Sequence, residues 1–328
     1  MSKEIKFSTV IGNFGNQPDR FVTSGYKDNK SLEEMFADAS KISELSGLEL
    51  VGTWNLNEGN VDLVKNLKNK YNFEIPIVVV DTFSQKRWGK GSFTSIDSKI
   101  RKLAISEVKK YMDISVELDC HMIDIWPGQD GYDYSFQVDF IRDLKYLIDG
   151  IAECADYRND VKIGIEYKPK EPRTHCYLSS IAKTLYMIDK MGKDNIGVVL
   201  DVGHALYAYE NMAESVALCN LFGSKLFHLH LNDNYRLWDD DMMVGSVHLQ
   251  EYLELIYWLK RTDYSGWYSL DIFPYREDGI GSAQESINWV KEMIKAVDSV
   301  DNKEIEKTID AGDAVKSLAL LRKMIFKQ

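Results

Sequence analysis

Four short apolar runs in the second half of this chain each end on a side chain that can bind a cation. Val161 to Ile165 leads to Glu166, and Asn195 to Leu200 leads to Asp201. Lys225 to Leu231 carries His228 and His230, and Gly266 to Ile272 carries Asp271. If the runs are parallel strands, Glu166, Asp201, His230 and Asp271 form one ring of three carboxylates and an imidazole. Such a ring repels itself unless a cation sits in it. Mixed oxygen and imidazole donors suit Mn²⁺ first, with Co²⁺, Mg²⁺ or Zn²⁺ as alternatives. His204 lies three residues past Asp201, and Asp239 and Asp241 lie two apart in the loop after His230. Asp201, His204, Asp239 and Asp241 therefore make a second donor set that shares Asp201 with the first. Two ions bridged by one carboxylate could clamp neighbouring oxygens of one substrate. Taken singly, an acid at a strand end more often caps a helix or pairs with a lysine. The joint placement at four successive strand ends is what points to metal. His228 shares a face with His230 and is expected in the core. His121 and His248 are not expected as ligands, and His175 is left open.

The elements that must position these groups alternate along the whole chain. Strand-like runs fall at Ile5 to Ile11, Leu48 to Trp54, Pro76 to Thr82, Cys120 to Trp126, Val161 to Tyr167, Asn195 to Asp201, Lys225 to Leu231 and Gly266 to Ile272. Helical periodicity separates them, at Ser31 to Ser46, Val61 to Tyr71, Ser95 to Leu118, Tyr134 to Tyr157, Ser179 to Lys190, Asn211 to Leu221, Val247 to Arg261 and Gly281 to Val297. Ser31 and Glu34 have the spacing of a capping box. Eight strands alternating with eight helices predict an α/β fold, a (β/α)₈ TIM barrel, with reactive groups at the carboxyl ends of its strands. The expected organisation is a catalytic barrel over residues 1–298 and a helical tail over 299–328. No Gly-x-Gly-x-x-Gly follows the first strand, which argues against a doubly wound nucleotide-binding sheet.

Composition excludes several classes. With 45% hydrophobic and 28% charged residues the chain reads as globular, and its net charge of −11 argues against a nucleic-acid footprint. No run approaches the roughly 20 apolar residues of a membrane span. The four cysteines form no Cys-x-x-Cys pair, and the N-terminus lacks the apolar core of a signal peptide. A cytoplasmic protein is expected.

From about Ser92 to Asp278 the sequence resembles the xylose isomerase-like barrels, which include xylose isomerase and L-rhamnose isomerase. Ser92-Phe-Thr-Ser-Ile-Asp97 is similar to Gly-Phe-Thr-x-x-Asp of xylose isomerase, and Trp126-Pro-Gly-Gln-Asp-Gly131 to its Trp-Gly-Gly-Arg-Glu-Gly. Glu166-Tyr-Lys-Pro-Lys-Glu-Pro-Arg173 resembles Glu-Pro-Lys-Pro-Asn-Glu-Pro-Arg, and Val202-Gly-His204 matches a metal-ligand Val-Gly-His. Lys225-Leu-Phe-His-Leu-His-Leu-Asn232 resembles Lys-Leu-Phe-His-Ile-Asp-Leu-Asn. His230-Leu-Asn-Asp233 and Asp239-Asp-Asp241 are closer to L-rhamnose isomerase.

The resemblance implies a divalent-metal-dependent aldose–ketose isomerase that acts on an unphosphorylated sugar by hydride shift. It also implies two metals per chain and a homotetramer or homodimer. Glu166, Asp201, His230 and Asp271 would hold a structural metal, and Asp201, His204, Asp239 and Asp241 a catalytic one. Lys168, with Asp241 and His204, would act in catalysis. Trp126, Trp88, Phe93 and Trp54 would line the substrate, and Phe14 with the 83–93 loop would meet a partner subunit. Glu171–Pro172 falls where xylose isomerase has a cis bond and is expected to be cis. The resemblance breaks where xylose isomerase opens its sugar ring with His and Asp: Val51 to Asn57 has neither, and no histidine precedes His121. Open-chain substrates are therefore favoured. The rivals are a one-metal epimerase working through an enediolate, a C-glycoside-cleaving lyase subunit on the same barrel, and a barrel that binds sugar without chemistry.

Overall fold

The structure is a computed structural model that describes residues 5–326. Eight parallel strands close into a barrel: β1 (Lys6–Val10), β2 (Leu45–Val51), β3 (Val78–Val79), β4 (Met122–Ile125), β5 (Lys162–Glu166), β6 (Ile196–Asp201), β7 (Leu226–Leu231) and β8 (Trp267–Leu270). Each pairs with its sequence neighbours, and β1 pairs with β8 to close the ring. The expected barrel is what forms. Among the described residues one main helix follows each strand: α1 (Leu32–Ala39), α2 (Val61–Tyr71), α3 (Ser98–Glu117), α4 (Phe140–Tyr157), α5 (Ile181–Met191), α6 (Met212–Leu221), α7 (Leu249–Arg261) and α8 (Gly279–Asp298). The tail adds α9 (Asn302–Ala311) and α10 (Ala314–Phe326). No helix of the described residues is long and apolar enough to cross a membrane.

Side-chain caps fix several helix starts. Ser31 and Glu34 form the expected reciprocal capping box on α1, and Asp97, Asp139, Ser180 and Asn211 accept from first-turn amides of α3 to α6. The helix α1 stops at Ala39, short of the expected Ser46, because Leu45 already pairs with Phe7 of β1. β3 is only two residues long, but the chain stays in register beyond it: Val80 N donates to Asp124 O at 2.9 Å.

Outside the strands, Leu, Ile, Val and Phe fill a continuous core between sheet and helices. The barrel interior is different. Ser8, Glu49, Asp124, Glu166, Asp201, His228, His230 and Ser269 are all 5% exposed or less. Such interiors are usually layers of branched apolar side chains. Burying this much charge is costly without partners or a cation, so the interior points to a function.

Two rim features matter. A small antiparallel sheet, Gly131–Tyr132 against Thr174–Cys176 against Lys170–Glu171, lies over the ends of β4 and β5. Its tight turn contains Pro172. No peptide bond among the described residues is cis, so the expectation for Glu171–Pro172 is corrected. Glu171 pairs with Thr174, and trans proline suits the start of that two-residue connection. The second feature is a short helix, Val202–Tyr207, directly after β6.

Candidate metal centre

The register of the barrel sets the first donor group. His230 of β7 pairs with Asp201 of β6 on one side and with Ser269 of β8 on the other. Paired residues share a face, so Asp201 and His230 enter the barrel at one level. Glu166 comes from the end of β5, and Asp271 directly follows β8. One ligand atom from each of Glu166, Asp201, His230 and Asp271 lies within 4.8 Å of the others. His230 Nδ1 is 3.7 Å from Glu166 Oε2 and 3.6 Å from Asp271 Oδ2.

Asp201, His204 and Asp239 form a second group, with one ligand atom from each again within 4.8 Å of the others. Asp201 Oδ1 accepts from His204 N at 2.7 Å, so the acid also caps the short helix. That cap turns His204 toward the site: its Nδ1 is 3.1 Å from Glu166 Oε1 and its Nε2 is 3.2 Å from Asp239 Oδ2. Gly203 has a physical reason here, since a Cβ would stand 2.2 Å from Asn232 Oδ1. Asn232 Nδ2 in turn donates to Asp201 Oδ2 at 2.9 Å and to Asp241 Oδ1 at 3.4 Å. Asp241 stands beside this second group and not within it. The loop that carries Asp239 and Asp241 is anchored by Asp233, which accepts from Val247 N, His248 N and His248 Nδ1.

Lys168 is buried at the mouth. Its Nζ is 2.7 Å from Asp239 Oδ2, contacts Glu171, and lies 5.0 Å from the centroid of the Trp126 ring. Trp126 meets Phe83 edge-on at 4.5 Å, and Phe83 meets Trp54 at 5.8 Å. Three aromatics therefore line one side of the mouth. Trp54 remains 53% exposed. Phe93, expected beside the substrate, is corrected: its ring packs against Gly150 of α4 within the apolar core. Trp88 is fully enclosed, with Arg87 over its ring. Phe14 is 2% exposed in its own chain's core and does not project to meet a partner. His175 is exposed and stacks on Tyr132 of the rim sheet.

The buried charges of the site act strongly on one another. Burial and neighbouring carboxylates push Asp201 up to about 6 and Asp271 up to about 7, and hold Asp124 and Asp241 well above the usual range. Burial opposes ionisation of Glu166 as well, but the imidazoles of His204 and His230 beside it hold it low. Burial alone would push Lys168 down, yet Asp239, Glu171 and Asp241 keep it well above its ordinary value. Protons or a cation would relieve this repulsion. Buried atoms with no hydrogen-bond partner among the described residues include His204 Nδ1, His230 Nδ1 and Asp239 Oδ1, all on the expected ligands. Unsatisfied buried acceptors are rare and costly, and a divalent ion would satisfy these. Glu166, Asp201, His230 and Asp271 fit one ion, and Asp201, His204 and Asp239 fit a second.

Sequence reasoning missed three residues. Glu49, 0% exposed, sits between His228 and His230, and Asp124 of β4 is buried with neither oxygen partnered. Phe83 is the aromatic next to Trp126. A lone acid inside the apolar runs Leu48 to Val51 and Met122 to Ile125 was the available signal for the first two.

The xylose isomerase-like TIM barrel family is matched over residues 36–293, and the chain belongs to it. The xylose isomerase of Thermus thermophilus is 27% identical over 210 residues, 62% of this chain and 54% of that protein. The chain therefore spans about half the length of that curated relative. A D-tagatose 3-epimerase-like protein superposes with a TM-score of 0.69 at 22% identity, covering 90% of this chain and 99% of that one. A D-allulose 3-epimerase from Methylomonas sp., in complex with D-allulose, gives 0.68 at 16% identity, covering 89% and 98%. At such identities the likeness is one of fold.

Proposed function

We propose that this barrel is a divalent-metal-dependent sugar isomerase that interconverts an open-chain, unphosphorylated aldose and its ketose. The observation that carries the reading is the second donor set tied to a buried lysine. Asp239 Oδ2 lies 3.2 Å from His204 Nε2 and 2.7 Å from Lys168 Nζ, while Asp201 joins this set to the first. Divalent cations held by Glu166, Asp201, His230 and Asp271, and by Asp201, His204 and Asp239, would polarise the sugar oxygens as Lewis acids.

The chain's own groups do the rest. Lys168 donates from Nζ to the carbonyl oxygen of the substrate, where negative charge develops. Trp126 and Phe83 present an apolar wall that excludes water beside the reacting carbons. Hydrogen leaves C2 with its electron pair and bonds to C1; C2 is oxidised to the ketone and C1 reduced to the alcohol. The proton on O2 must reach O1, and Asp241, outside the second donor set, has a carboxylate to carry it. His204 and Asp239 orient the ends of that exchange. Arg236 pairs with Glu251 at 3.5 Å and Arg276 covers the Tyr26 ring, which supports an uncharged sugar over a phosphorylated one. Assembly as a homodimer or homotetramer belongs to the same reading and is checked by light scattering.

One observation favours a second reading, a 3-epimerase. Glu166 and Asp271 flank one space, each within 3.7 Å of His230 Nδ1, so one could take a proton from carbon and the other return it. Two similar structures carry epimerase names. Incubating the Mn²⁺-loaded protein with aldoses and ketoses in D₂O separates the two by NMR of the recovered sugars. Aldose–ketose conversion without deuterium on C1 or C2 is the expected result. Deuterium at the inverted carbon would favour the epimerase, and turnover of no free sugar would overturn both.

A further inference from the structure

Below the first donor set, Glu49 reaches into the barrel between two histidines of β7. In the barrel order β2 and β7 are separated by β1 and β8, so the carboxylate crosses the interior to reach them. Glu49 Oε1 accepts from Ser8 Oγ at 3.0 Å and lies 2.8 Å from His228 Nε2. Glu49 Oε2 lies 3.0 Å from His230 Nε2. All three residues facing it are 1% exposed or less.

An ionised carboxylate only accepts hydrogen bonds, so each imidazole nitrogen facing it must carry a hydrogen. A neutral His230 is then fixed with its hydrogen on Nε2 and its lone pair on Nδ1. That Nδ1 is one of the buried atoms without a hydrogen-bond partner among the described residues, and it faces Glu166 and Asp271. We propose that Glu49 is a positioning residue, which locks the tautomer and ring plane of His230 so that Nδ1 is presented to the ion shared by Glu166, Asp201 and Asp271. The inference rests on the metal reading given above. His228 is the second arm of the clasp. Its ring stands at 89° to that of His230, with centroids 5.2 Å apart, so the two imidazoles pack edge to face. Glu49, His228 and His230 could themselves be read as a third cation site. The spacing argues otherwise: both nitrogens sit at hydrogen-bond length from oxygens already committed, one of them also to Ser8.

Glu49→Gln keeps the shape but breaks the symmetry of the clasp. The amide oxygen can accept from one imidazole, while the NH₂ group must donate to the other. The test is competition of the wild type and Glu49→Gln with a chelator for Zn²⁺, together with long-range ¹H–¹⁵N spectra of the Zn²⁺-loaded wild type. The proposal expects His230 to be protonated at Nε2 and ligated through Nδ1. It expects Glu49→Gln to bind the first-set ion about 10- to 100-fold more weakly. A purely structural role would lower the melting temperature and leave the affinity of the folded protein unchanged. Ser8→Ala, which loosens Glu49 without touching a histidine, should weaken the same ion by a smaller factor. If Glu49→Gln does not fold, the wild-type spectrum decides by itself. A hydrogen on His230 Nδ1, or full affinity in Glu49→Gln beside a wild type that binds, overturns this inference alone. A wild type that binds no divalent ion overturns the metal reading along with it.

Discussion

Replacing Lys168 by methionine tests the electrostatic design of the mouth. Methionine keeps the stem that packs along Trp126 and removes the charge. In the native protein that charge offsets Asp239 at 2.7 Å and also contacts Glu171. The Glu171 side chain is 27% exposed and can rehydrate, whereas that of Asp239 is 9% exposed and cannot. Removing one member of a buried pair costs about 3–5 kcal/mol, and with only Asp239 stranded the lower end applies. Spread over the unfolding entropy of 328 residues, a loss of about 3 kcal/mol lowers the melting temperature by about 4 °C. Turnover should fall further, because a buried charged donor to a developing oxyanion is worth about 10²- to 10³-fold. Divalent-metal affinity at the second donor set should hold or rise, since Asp239 no longer pairs with an ammonium. The assays are thermal melting with and without Mn²⁺, and aldose–ketose turnover. A fully active Lys168→Met would refute the role given to this lysine.

Three further outcomes follow from the geometry. Asp201→Asn should empty both donor sets together, read by metal analysis after dialysis, because Asp201 is their common member. Asp130→Ala should destabilise without touching metal binding. It strands the buried amides of Ser92 and Thr94, now 3.0 and 2.6 Å from Asp130 Oδ1, at about 4 kcal/mol for the two, read by urea denaturation. The metal-free protein should lose stability as pH rises from about 5 to about 8. Asp201 and Asp271 are raised from 3.8 to about 6 and about 7, so in that window the folded state holds more protons than the unfolded state and gives them up as pH rises. His204 and His230, raised above 6.5, act in the same direction. Saturating Mn²⁺ should flatten the fall, and a metal-free melting temperature that rises across the window would contradict this charge assignment.

The barrel was legible because its periodicity is strong: apolar runs of strand length, capped amphipathic helices, and no linker between them. The short helix after β6 was not, since Val-Gly-His reads as a loop until Asp201 is seen capping it. Glu166, Asp201, His230 and Asp271 were legible because strand ends place them together, with Asp201 and His230 paired in register. Glu49 and Asp124 lie deeper, within strands, where an acid looks like an isolated break in an apolar run. Only closure of the barrel brings Glu49 to the histidines. Phe93 was misassigned because a motif gives the order of residues and not the direction of a ring: Gly150 opens a slot in α4 that takes it. The proline after Glu171 was misassigned for a related reason, as the rim sheet sets the turn.

The most direct test of the account is a calorimetric titration of Mn²⁺ into the metal-free protein, run on the wild type and on Glu166→Gln. The two donor sets joined at Asp201 predict two ions per wild-type chain. Glu166 belongs to the first set, so Glu166→Gln should lose that ion and keep a weakened second. No saturable binding by the wild type, or an unchanged isotherm for Glu166→Gln, would contradict the claim that this buried ring of acids is a metal centre.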